Sequence, residues 1–327
     1  MVMKTPVLLI TFNRPKHTRK VLEAIVQQHP SALYVFQDGA RKNNETDLVK
    51  CNEVRNVVDE LTKGFDLQLH KLYSDKNLGC GPGPKAALDW FFSENDYGII
   101  LEDDAVPHPD FFPYCEELLL KYKEDADVRA IGSMHLDTKT FGDGSYYFSM
   151  MNRTFCAWAT WARAWKDFDL YHRNVTRKQF DQCLKAYGCG LRMREYWCER
   201  LAEVQKDAYH NSSWDQQFWM SIWLHHGKGI MPNVNLSTNI GFGVEATHTF
   251  SSKSVGSNRK STSIMPLKHP STTGIQSKAD WRFQALYFDP IQYGWTGLKN
   301  LPFRLNKRIK RIVGHEGPWF RKKQKQT

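Results

Sequence analysis

The chain has 327 residues, of which 41% are hydrophobic and 13% aromatic, enough to bury a large core and to exclude global disorder. Its net charge of +10 is concentrated at the carboxyl end: residues 299–327 hold ten Lys or Arg and one acid, while residues 1–298 are almost neutral. This distribution argues against nucleic-acid binding. It favours a cationic tail that attaches to an anionic membrane surface, with a solvated terminus as the alternative.

No early apolar run reaches the length of a membrane span, and the first residues lack the pattern of a signal peptide. The sequence therefore predicts a cytoplasmic protein, peripheral on the inner face of the plasma membrane if the tail binds there. Seven cysteines with scattered spacing favour free thiols over a disulfide framework.

The first forty residues have the rhythm of a βαβ unit. Residues 7–12 and 33–37 are apolar and rich in β-formers, and the segment 17–28 between them has helical spacing. A second helix is expected over 48–61 and a third strand over 67–73. Ligands bind such parallel sheets at the carboxyl ends of the strands, where Asn13, Arg14 and Asp38 follow predicted strands.

A glycine-rich turn at residues 77–85 precedes a helix predicted from about Lys85 to Ser93. The backbone N–H groups of the turn, including that of Gly79, and the Lys85 ammonium are candidates to contact phosphates; an ordinary turn explains the composition equally well. The chain contains no P-loop pattern, which excludes a P-loop nucleotide hydrolase.

Three successive carboxylates, Glu102, Asp103 and Asp104, follow the apolar run at residues 99–101. Such a run is typical of a strand covered on both faces, and the prolines at 107 and 109 end it. Asp110 is placed to cap the next helix. Adjacent carboxylates resist joint ionisation unless a cation or strong donors compensate, so the pattern predicts a site for Mg or Mn; the alternative is a solvated strand end.

Farther along, tryptophans at 158, 161 and 165 recur at spacings of three and four, which predicts a helix with one aromatic face. Core packing is the favoured interpretation, and a platform for a sugar ring is the alternative. A long helical region over 176–209, with a break at Gly188 and Gly190, and a helix from about Ser213 to His225 follow. Asp215 near the start of the latter is either a helix-stabilising acid or a functional one.

The carboxyl-terminal third provides weaker signals. His248 ends the segment 239–248 and is either a ligand or a loop residue. Residues 249–278 are rich in Ser and Thr and predict a flexible loop. The expected organisation is a catalytic domain over 1–248, with a nucleotide-binding half to about 105 and an acceptor half from about 106, then the loop, then a helix and basic tail over 279–327.

Several of these motifs together resemble a known family: LLITFNRP, the QDG turn, NLG-x-G, LEDD-x-x-P-x-x-x-FF, W-A-T-W-x-R-A-W, WDQQFW and PNVNLSTNIGFG-x-x-ATHT. The combination is similar to bacterial family 2-like glycosyltransferases of the GT-A fold, in a branch related to the Golgi N-acetylglucosaminyltransferase that initiates complex N-glycans. The resemblance covers roughly residues 5–270. It departs at Cys156-Ala157, where related bacterial sequences favour glycine, and near Gly83, where the Golgi relative has a histidine that contacts the base.

The resemblance implies an α/β GT-A (Rossmann-like) fold with a mostly parallel sheet, a nucleotide-diphospho-sugar donor and a Mn or Mg ion. It implies that Asp215 is the catalytic base and that Asp104 binds the metal, with His248 as a second candidate ligand. Trp158, Trp161 and Trp214 are candidate acceptor platforms. The predicted donor-binding residues are Thr11, Asn13, Arg14, Asp38, Gly79, Lys85, Glu102 and Asp103.

The function expected from these features is an inverting sugar transfer to a hydroxyl of a glycan or lipid-linked acceptor in surface polysaccharide synthesis. Two alternatives stay open. One is a nucleotidyltransferase that makes a sugar nucleotide instead of consuming one. The other is a non-catalytic module that binds nucleotide sugars.

Overall fold

The first hundred residues alternate strands and helices, as their hydrophobic pattern predicts. The computed structural model describes residues 3–154, 156–211, 214–241 and 259–287. The amino-terminal elements are β1 (Val7–Thr11), α1 (Pro15–Val26), β2 (Ala32–Gln37), α2 (Glu45–Thr62), β3 (Gln68–Tyr73), α3 (Pro82–Glu94) and β4 (Tyr97–Glu102).

The elements that follow β4 are shorter and mix strand directions. In chain order they are β5 (Ala105–Pro107), α4 (Phe111–Lys121), β6 (Val128–Gly132), β7 (Tyr146–Ser149), β8 (Ala157–Trp161), α5 (Ala162–Trp165), α6 (Arg177–Ala186), α7 (Leu191–Asn211), α8 (Trp214–Leu224), β9 (Lys228–Pro232), β10 (Ser237–Asn239) and α9 (Ser277–Tyr287). The break predicted at the glycines of 188 and 190 separates α6 from α7.

Eight of these strands form one sheet in the order β3-β2-β1-β4-β8-β6-β9-β7. Strands β1 to β4 run parallel, whereas β8 and β7 run antiparallel to their neighbours. The chain leaves β1 toward β3 and returns to pair β4 on the other side of β1. Ligand crevices in open α/β sheets form at such a switch point, outside the carboxyl ends of the two strands.

Burial follows from this layering. Every residue of β1 is buried, and so are Gly98 to Leu101 of β4, because helices cover both faces of the parallel strands. The predicted fold class is therefore confirmed: an α/β architecture with a large, mostly parallel central sheet flanked by helices. All seven cysteines are free, as predicted.

The tryptophan block does not form the predicted helix. Residues 157–161 are strand β8, which pairs with both β4 and β6, and only the four residues of α5 are helical. Trp158 and Trp161 therefore do not share a helical face with Trp165. A short apolar run fits a strand buried on both faces as well as a helix, and the pairing with β4 decides for the strand.

The Ser/Thr-rich segment makes hydrogen bonds to the rest of the protein where the structure describes it. Thr262 N–H donates to the Asn235 carbonyl at 2.8 Å, and Ser145 N–H donates to the Lys268 carbonyl at 2.7 Å. The flexibility of this loop stays a prediction. Residues 249–258 lie outside the described part.

The Asp110 side chain binds this segment and does not cap α4. Its side chain makes no cap hydrogen bond at the beginning of α4. Instead, Asp110 Oδ2 accepts from Ser263 Oγ at 2.5 Å and from the N–H groups of Ile264 and Met265 at 3.0 and 3.2 Å. These hydrogen bonds hold its pKa below the usual value against the opposing effect of burial. The capping role predicted from sequence is wrong because a distant segment supplies better donors.

By its contacts the chain divides into two units, Met1–Asp280 and Trp281–Thr327, and all the site residues described below lie in the first. The expected division of the catalytic part near residue 105 stays a prediction. Among the described residues, none of the helices has the length and apolar character that a membrane span requires.

Asp280 provides a test of how this unit is held together. Burial raises the pKa of its carboxyl from 3.8 to about 6, although hydrogen bonds from Ser149 Oγ and from the N–H groups of Met150 and Met151 oppose the shift. Between pH 4 and 6 the folded state therefore binds more protons than the unfolded state. The stability that the neutral Asp280 carboxyl contributes is fully present below pH 4. As the pH rises through 6, the free energy of unfolding falls by roughly 3 kcal/mol.

We expect Asp280→Asn to remove this dependence while lowering stability at every pH, because Asn offers only one acceptor to the three donors. Urea unfolding at pH 4.5 and pH 7 measures it: the difference between the two free energies should shrink in the variant. Asp66→Asn, at an exposed carboxylate, is the control and should keep the wild-type difference. An unchanged pH dependence in Asp280→Asn would contradict the prediction.

Candidate functional site

The site begins where β1 and β4 end side by side. Their register places Leu9 opposite Leu101 and Ile10 opposite Glu102, so the chain leaves both strands at the same edge. Arg14, just beyond β1, donates from Nη2 to Asp103 Oδ1 at 2.5 Å and from Nη1 to Asp104 Oδ2 at 3.1 Å. Residues that follow two different strands, Arg14 after β1 and Asp103 and Asp104 after β4, thus meet at this edge. The positive charge of Arg14 compensates two of the three acids.

Asp103 is the inner partner of this arrangement. It is 2% exposed, and its second oxygen accepts from the Phe12 N–H at 3.3 Å. Burial raises its pKa, while the charge of Arg14 opposes the shift. Burial lowers the pKa of Arg14, but the charges of Asp103 and Asp104 outweigh it and hold this pKa above its usual value. Asp103 is therefore the buried partner that fixes the position of the Arg14 guanidinium.

Glu102 is the most perturbed acid of the cluster. The pKa of its carboxyl is raised to about 8, first by burial and then by the nearby charges of Asp104 and Asp215. The Cys156 N–H, which donates to Glu102 Oε1 at 3.4 Å, opposes the shift. Perturbed acids at the carboxyl end of a strand are typical of functional sites.

Asp215 reaches this cluster from the first turn of α8. It is separated from Glu102 by more than a hundred residues of sequence and is 7% exposed. Its charge raises the pKa values of Glu102, Cys80 and Cys156, so its carboxylate lies within electrostatic range of all three. Packing alone brings it there, because α8 is not adjacent in sequence to any other part of the site.

Asp38 organises the glycine-rich turn. Its Oδ1 accepts from the N–H groups of Gly39 and Leu78 at 2.9 and 2.7 Å, and its Oδ2 accepts from the Gly79 N–H and Asn77 Nδ2, both at 3.0 Å. Burial raises its pKa and these hydrogen bonds oppose the shift. The N–H groups of Leu78 and Gly79 thus donate to Asp38, and this carboxylate holds the turn in place. A contact of Gly79 with donor phosphates stays a prediction.

The other predicted donor-binding residues have partners within the protein. Thr11 Oγ1 donates to the Phe36 carbonyl at 2.9 Å, between strands. Asn13 Nδ2 donates to Asp47 Oδ1 at 2.7 Å. Lys85 pairs with Asp89 one turn along α3 and is partly exposed. Asn13 lies on the sheet edge beside Arg14, whereas Thr11 is interior. Their contact with a donor stays a prediction.

The three candidate platforms are buried. Trp158, Trp161 and Trp214 are 0, 2 and 4% exposed. Trp158 and Trp214 pack on each other with centroids 5.5 Å apart, and Trp161 Nε1 donates to the Leu119 carbonyl at 3.1 Å. A sugar ring stacks on an exposed indole face, which none of the three offers in this structure. Core packing, the interpretation favoured from sequence, describes them.

Four residues around the acids were not among the predicted site residues. Cys156 adopts φ of +70°, a left-handed conformation that favours glycine. Its Sγ accepts from Asn239 Nδ2 at 2.9 Å. His17 Nε2 lies 3.2 Å from the Ile240 carbonyl, and Gly241 lies against Asp104. The contacts of Ile240 and Gly241 had one signal in the sequence, the NIGFG motif of residues 239–243.

One atom of this cluster is a candidate ligand for a divalent cation. Asp104 Oδ1 is buried and makes no hydrogen bond to a described residue, whereas its Oδ2 accepts from Arg14. Carboxylate oxygen is a preferred ligand of Mg or Mn, and Mg is commonly held by one or two carboxylates together with substrate phosphates. In the described part of the chain no three His, Cys, Asp or Glu side chains group to hold a metal. His248, the other predicted ligand, lies outside the described residues.

Gly241 is a strict steric requirement of the cluster. A Cβ at this position would lie 2.2 Å from Asp104 Oδ2 and 2.8 Å from its Cγ. We expect Gly241→Ala to push the Asp104 carboxylate aside and to lower turnover at least tenfold, since misplacing a ligand by about 1 Å costs up to about a hundredfold. Steady-state kinetics measures this. Gly190→Ala, where a Cβ meets nothing within 4 Å, is the control; equal activity of the two variants would contradict the prediction.

No family model matches the chain, and no curated protein matches it. Three solved structures are similar to parts of it. An apo UDP-glucose pyrophosphorylase is 8% identical, with 72% of this chain and 93% of that chain covered and a TM-score of 0.38. A UDP-glucose pyrophosphorylase complexed with UDP-glucose is 9% identical, with coverages of 51% and 79% and a TM-score of 0.31.

The third is the 4-diphosphocytidyl-2C-methyl-D-erythritol synthase of Anaerococcus prevotii, at 10% identity, with 68% of this chain and 99% of that chain covered and a TM-score of 0.27. At these identities and TM-scores a shared activity does not follow from the likeness.

Proposed function

We propose that the protein is an enzyme acting on nucleotide sugars, namely a metal-dependent, inverting glycosyltransferase. It moves a hexosyl or N-acetylhexosaminyl group from a nucleotide-diphospho-sugar to a hydroxyl of a glycan or lipid-linked acceptor in surface polysaccharide synthesis. The observation that supports the proposal is that the charge of Asp215, on α8, raises the pKa of Glu102 among the strand-end acids. A transfer to a hydroxyl needs a proton acceptor and a group that holds the diphosphate; in this proposal Asp215 is the first, and Asp104 with its metal ion would be the second.

Each acid has a proposed task in this reaction. Asp104 would hold a Mn or Mg ion through Oδ1, and that ion supplies Lewis-acid stabilisation of the charge on the departing nucleoside diphosphate. Asp103 holds Arg14 in place, and the guanidinium of Arg14 would bind phosphate oxygens of the donor. Asp215 accepts the proton of the acceptor hydroxyl as that oxygen attacks the anomeric carbon from the face opposite the leaving group, which inverts the configuration.

The second candidate is a sugar-nucleotide nucleotidyltransferase, the class to which the names of the similar solved structures belong. It uses the same fold and the same kind of acidic site, but it attacks a nucleoside triphosphate with a sugar phosphate and releases pyrophosphate. The position of Asp215 favours the transferase, because a sugar phosphate is already ionised and needs no base to activate it. A non-catalytic module would bind donor without turnover.

One series of measurements separates these functions. Purified protein is screened against a panel of nucleotide sugars with and without Mn, and donors are found by their thermal stabilisation. The best donor is then incubated with candidate acceptors, and NMR of the product reports the anomeric configuration. Inverted product supports the proposal, and retained configuration contradicts it. Pyrophosphate released from a triphosphate and a sugar phosphate would establish the second candidate instead.

Attachment to an anionic membrane is a separate proposal. It rests on the ten basic residues of 299–327, which lie outside the described part of the structure. Lys or Arg near such a surface contributes about 1 kcal/mol each. Cosedimentation with anionic liposomes, for the full chain and for a chain ending at 298, tests it; equal binding by both forms would contradict it.

A further inference from the structure

The acid cluster already contains a positive charge. Arg14 contacts Asp103 and Asp104 at once, and the side chains of these three residues are 17, 3 and 13% exposed. Asp104 therefore divides its two oxygens: Oδ2 accepts from Arg14, and Oδ1 is buried without a hydrogen bond to a described residue. A divalent cation held by Oδ1 would share one carboxylate with the guanidinium, at a separation of a few ångströms.

We propose that Arg14 is a built-in counter-ion that makes cation binding at Asp104 depend on the donor diphosphate. The proposal rests on the proposed function, because it assumes that Asp104 holds the metal. In the free protein the guanidinium neutralises the acids and repels a second cation, an effect that low exposure strengthens. A diphosphate brings negative charge to both cations, so the metal and the nucleotide stabilise each other's binding.

The geometry shows how Arg14 can change partners without a backbone movement. Its backbone is fixed at the start of α1, where the Arg14 carbonyl accepts from the N–H groups of His17 and Thr18 and from Thr18 Oγ1. Its Nη2 is held on Asp103, which the Phe12 N–H also holds in place. Only the Nη1 contact with Asp104 needs to pass to a phosphate oxygen, and the planar guanidinium fork can bind both groups at once.

The test measures metal binding without turnover. Binding of Mn is followed by the loss of the free-ion signal in electron paramagnetic resonance, with and without inorganic pyrophosphate as the diphosphate probe. The Asp104→Asn protein corrects for Mn that pyrophosphate holds in solution. Wild-type protein should bind Mn weakly alone and at least tenfold more tightly with pyrophosphate.

The Arg14→Met variant should bind Mn without pyrophosphate at least tenfold more tightly than the wild type, and the enhancement by pyrophosphate should largely disappear. Arg14→Lys retains the charge and should retain weak binding in the absence of pyrophosphate, which separates the charge effect from a loss of packing. Arg19→Met is the matched control on the same helix, since Arg19 pairs with the exposed Glu60 away from the site. Circular dichroism verifies that each variant is folded.

Two results would overturn the inference, and they differ in meaning. Tight Mn binding by the wild type alone, unchanged in Arg14→Met, would show that Arg14 does not control the metal, and would leave the proposed function intact. Absence of Mn binding in the wild type and in Arg14→Met, with and without pyrophosphate, would remove both the inference and the metal dependence of the proposed function.

Discussion

Asp215→Asn is expected to lower the turnover number by about a hundredfold to ten-thousandfold while leaving donor binding intact. This is the range that a positioned general base contributes, and Asn has nearly the same shape but cannot accept the proton. The charge of Asp215 raises the pKa of Glu102, and Asp215 is itself almost fully buried. The turnover number with saturating acceptor and the thermal shift with donor measure the two properties separately.

The matched control for this variant is Asp169→Asn. Asp169 is an exposed carboxylate whose backbone N–H donates to Ser221 of the same helix, α8, so it tests an identical change next to the same element. It should retain wild-type turnover. A nearly wild-type turnover number in Asp215→Asn, with donor binding preserved, would refute the base assignment and would favour the nucleotidyltransferase or a different acceptor chemistry.

Asp104→Asn should abolish the metal dependence of donor binding and lower kcat/KM by about a hundredfold or more. Loss of the carboxylate charge weakens a ligand whose free oxygen is directed at no other described group, and about 3 kcal/mol of stabilisation of the leaving diphosphate is then lost. Measuring kcat/KM against Mn concentration, together with the thermal shift produced by donor, gives both effects.

The control for the metal ligand is Asp59→Asn, which removes an exposed carboxylate that pairs with Lys71. It should follow the wild-type dependence on Mn. If Asp104→Asn responds to Mn as the wild type does, the metal is held elsewhere, and the strand-end acids bind the donor in some other way.

Local sequence predicted the parallel half of the protein well. The alternation of strands and helices through Glu102, the turn after β1 and the acids after β4 all occur where periodicity and turn residues place them, because each depends on neighbours a few positions away. The tryptophan block was mistaken for a helix. Its spacing of three and four fits a helical face, but residues 157–161, which include its first two tryptophans, form a strand that is paired on both sides.

The other differences between the sequence predictions and the structure come from contacts between residues far apart in sequence. Asp110 was expected to cap α4, but it accepts three hydrogen bonds from residues 263–265, more than 150 positions away. The oxygens of Asp38 accept hydrogen bonds from the turn of residues 77–79, which the sequence did not predict, and its predicted contact with a donor stays untested. A carboxylate takes the best donors that the fold brings to it, and sequence spacing carries no information about those partners.

Hydrophobic runs, prolines and charge are local properties, and from them alone one can predict that a buried apolar strand brings three carboxylates to the edge of a parallel sheet. The groups that compensate these charges come from other parts of the chain and depend on the tertiary fold. The pairing of β1 with β4 brings Arg14 onto Asp103 and Asp104, and the packing of α8 brings Asp215 into the field of Glu102. Such contacts are set by the burial of whole elements against one another, which no local pattern encodes.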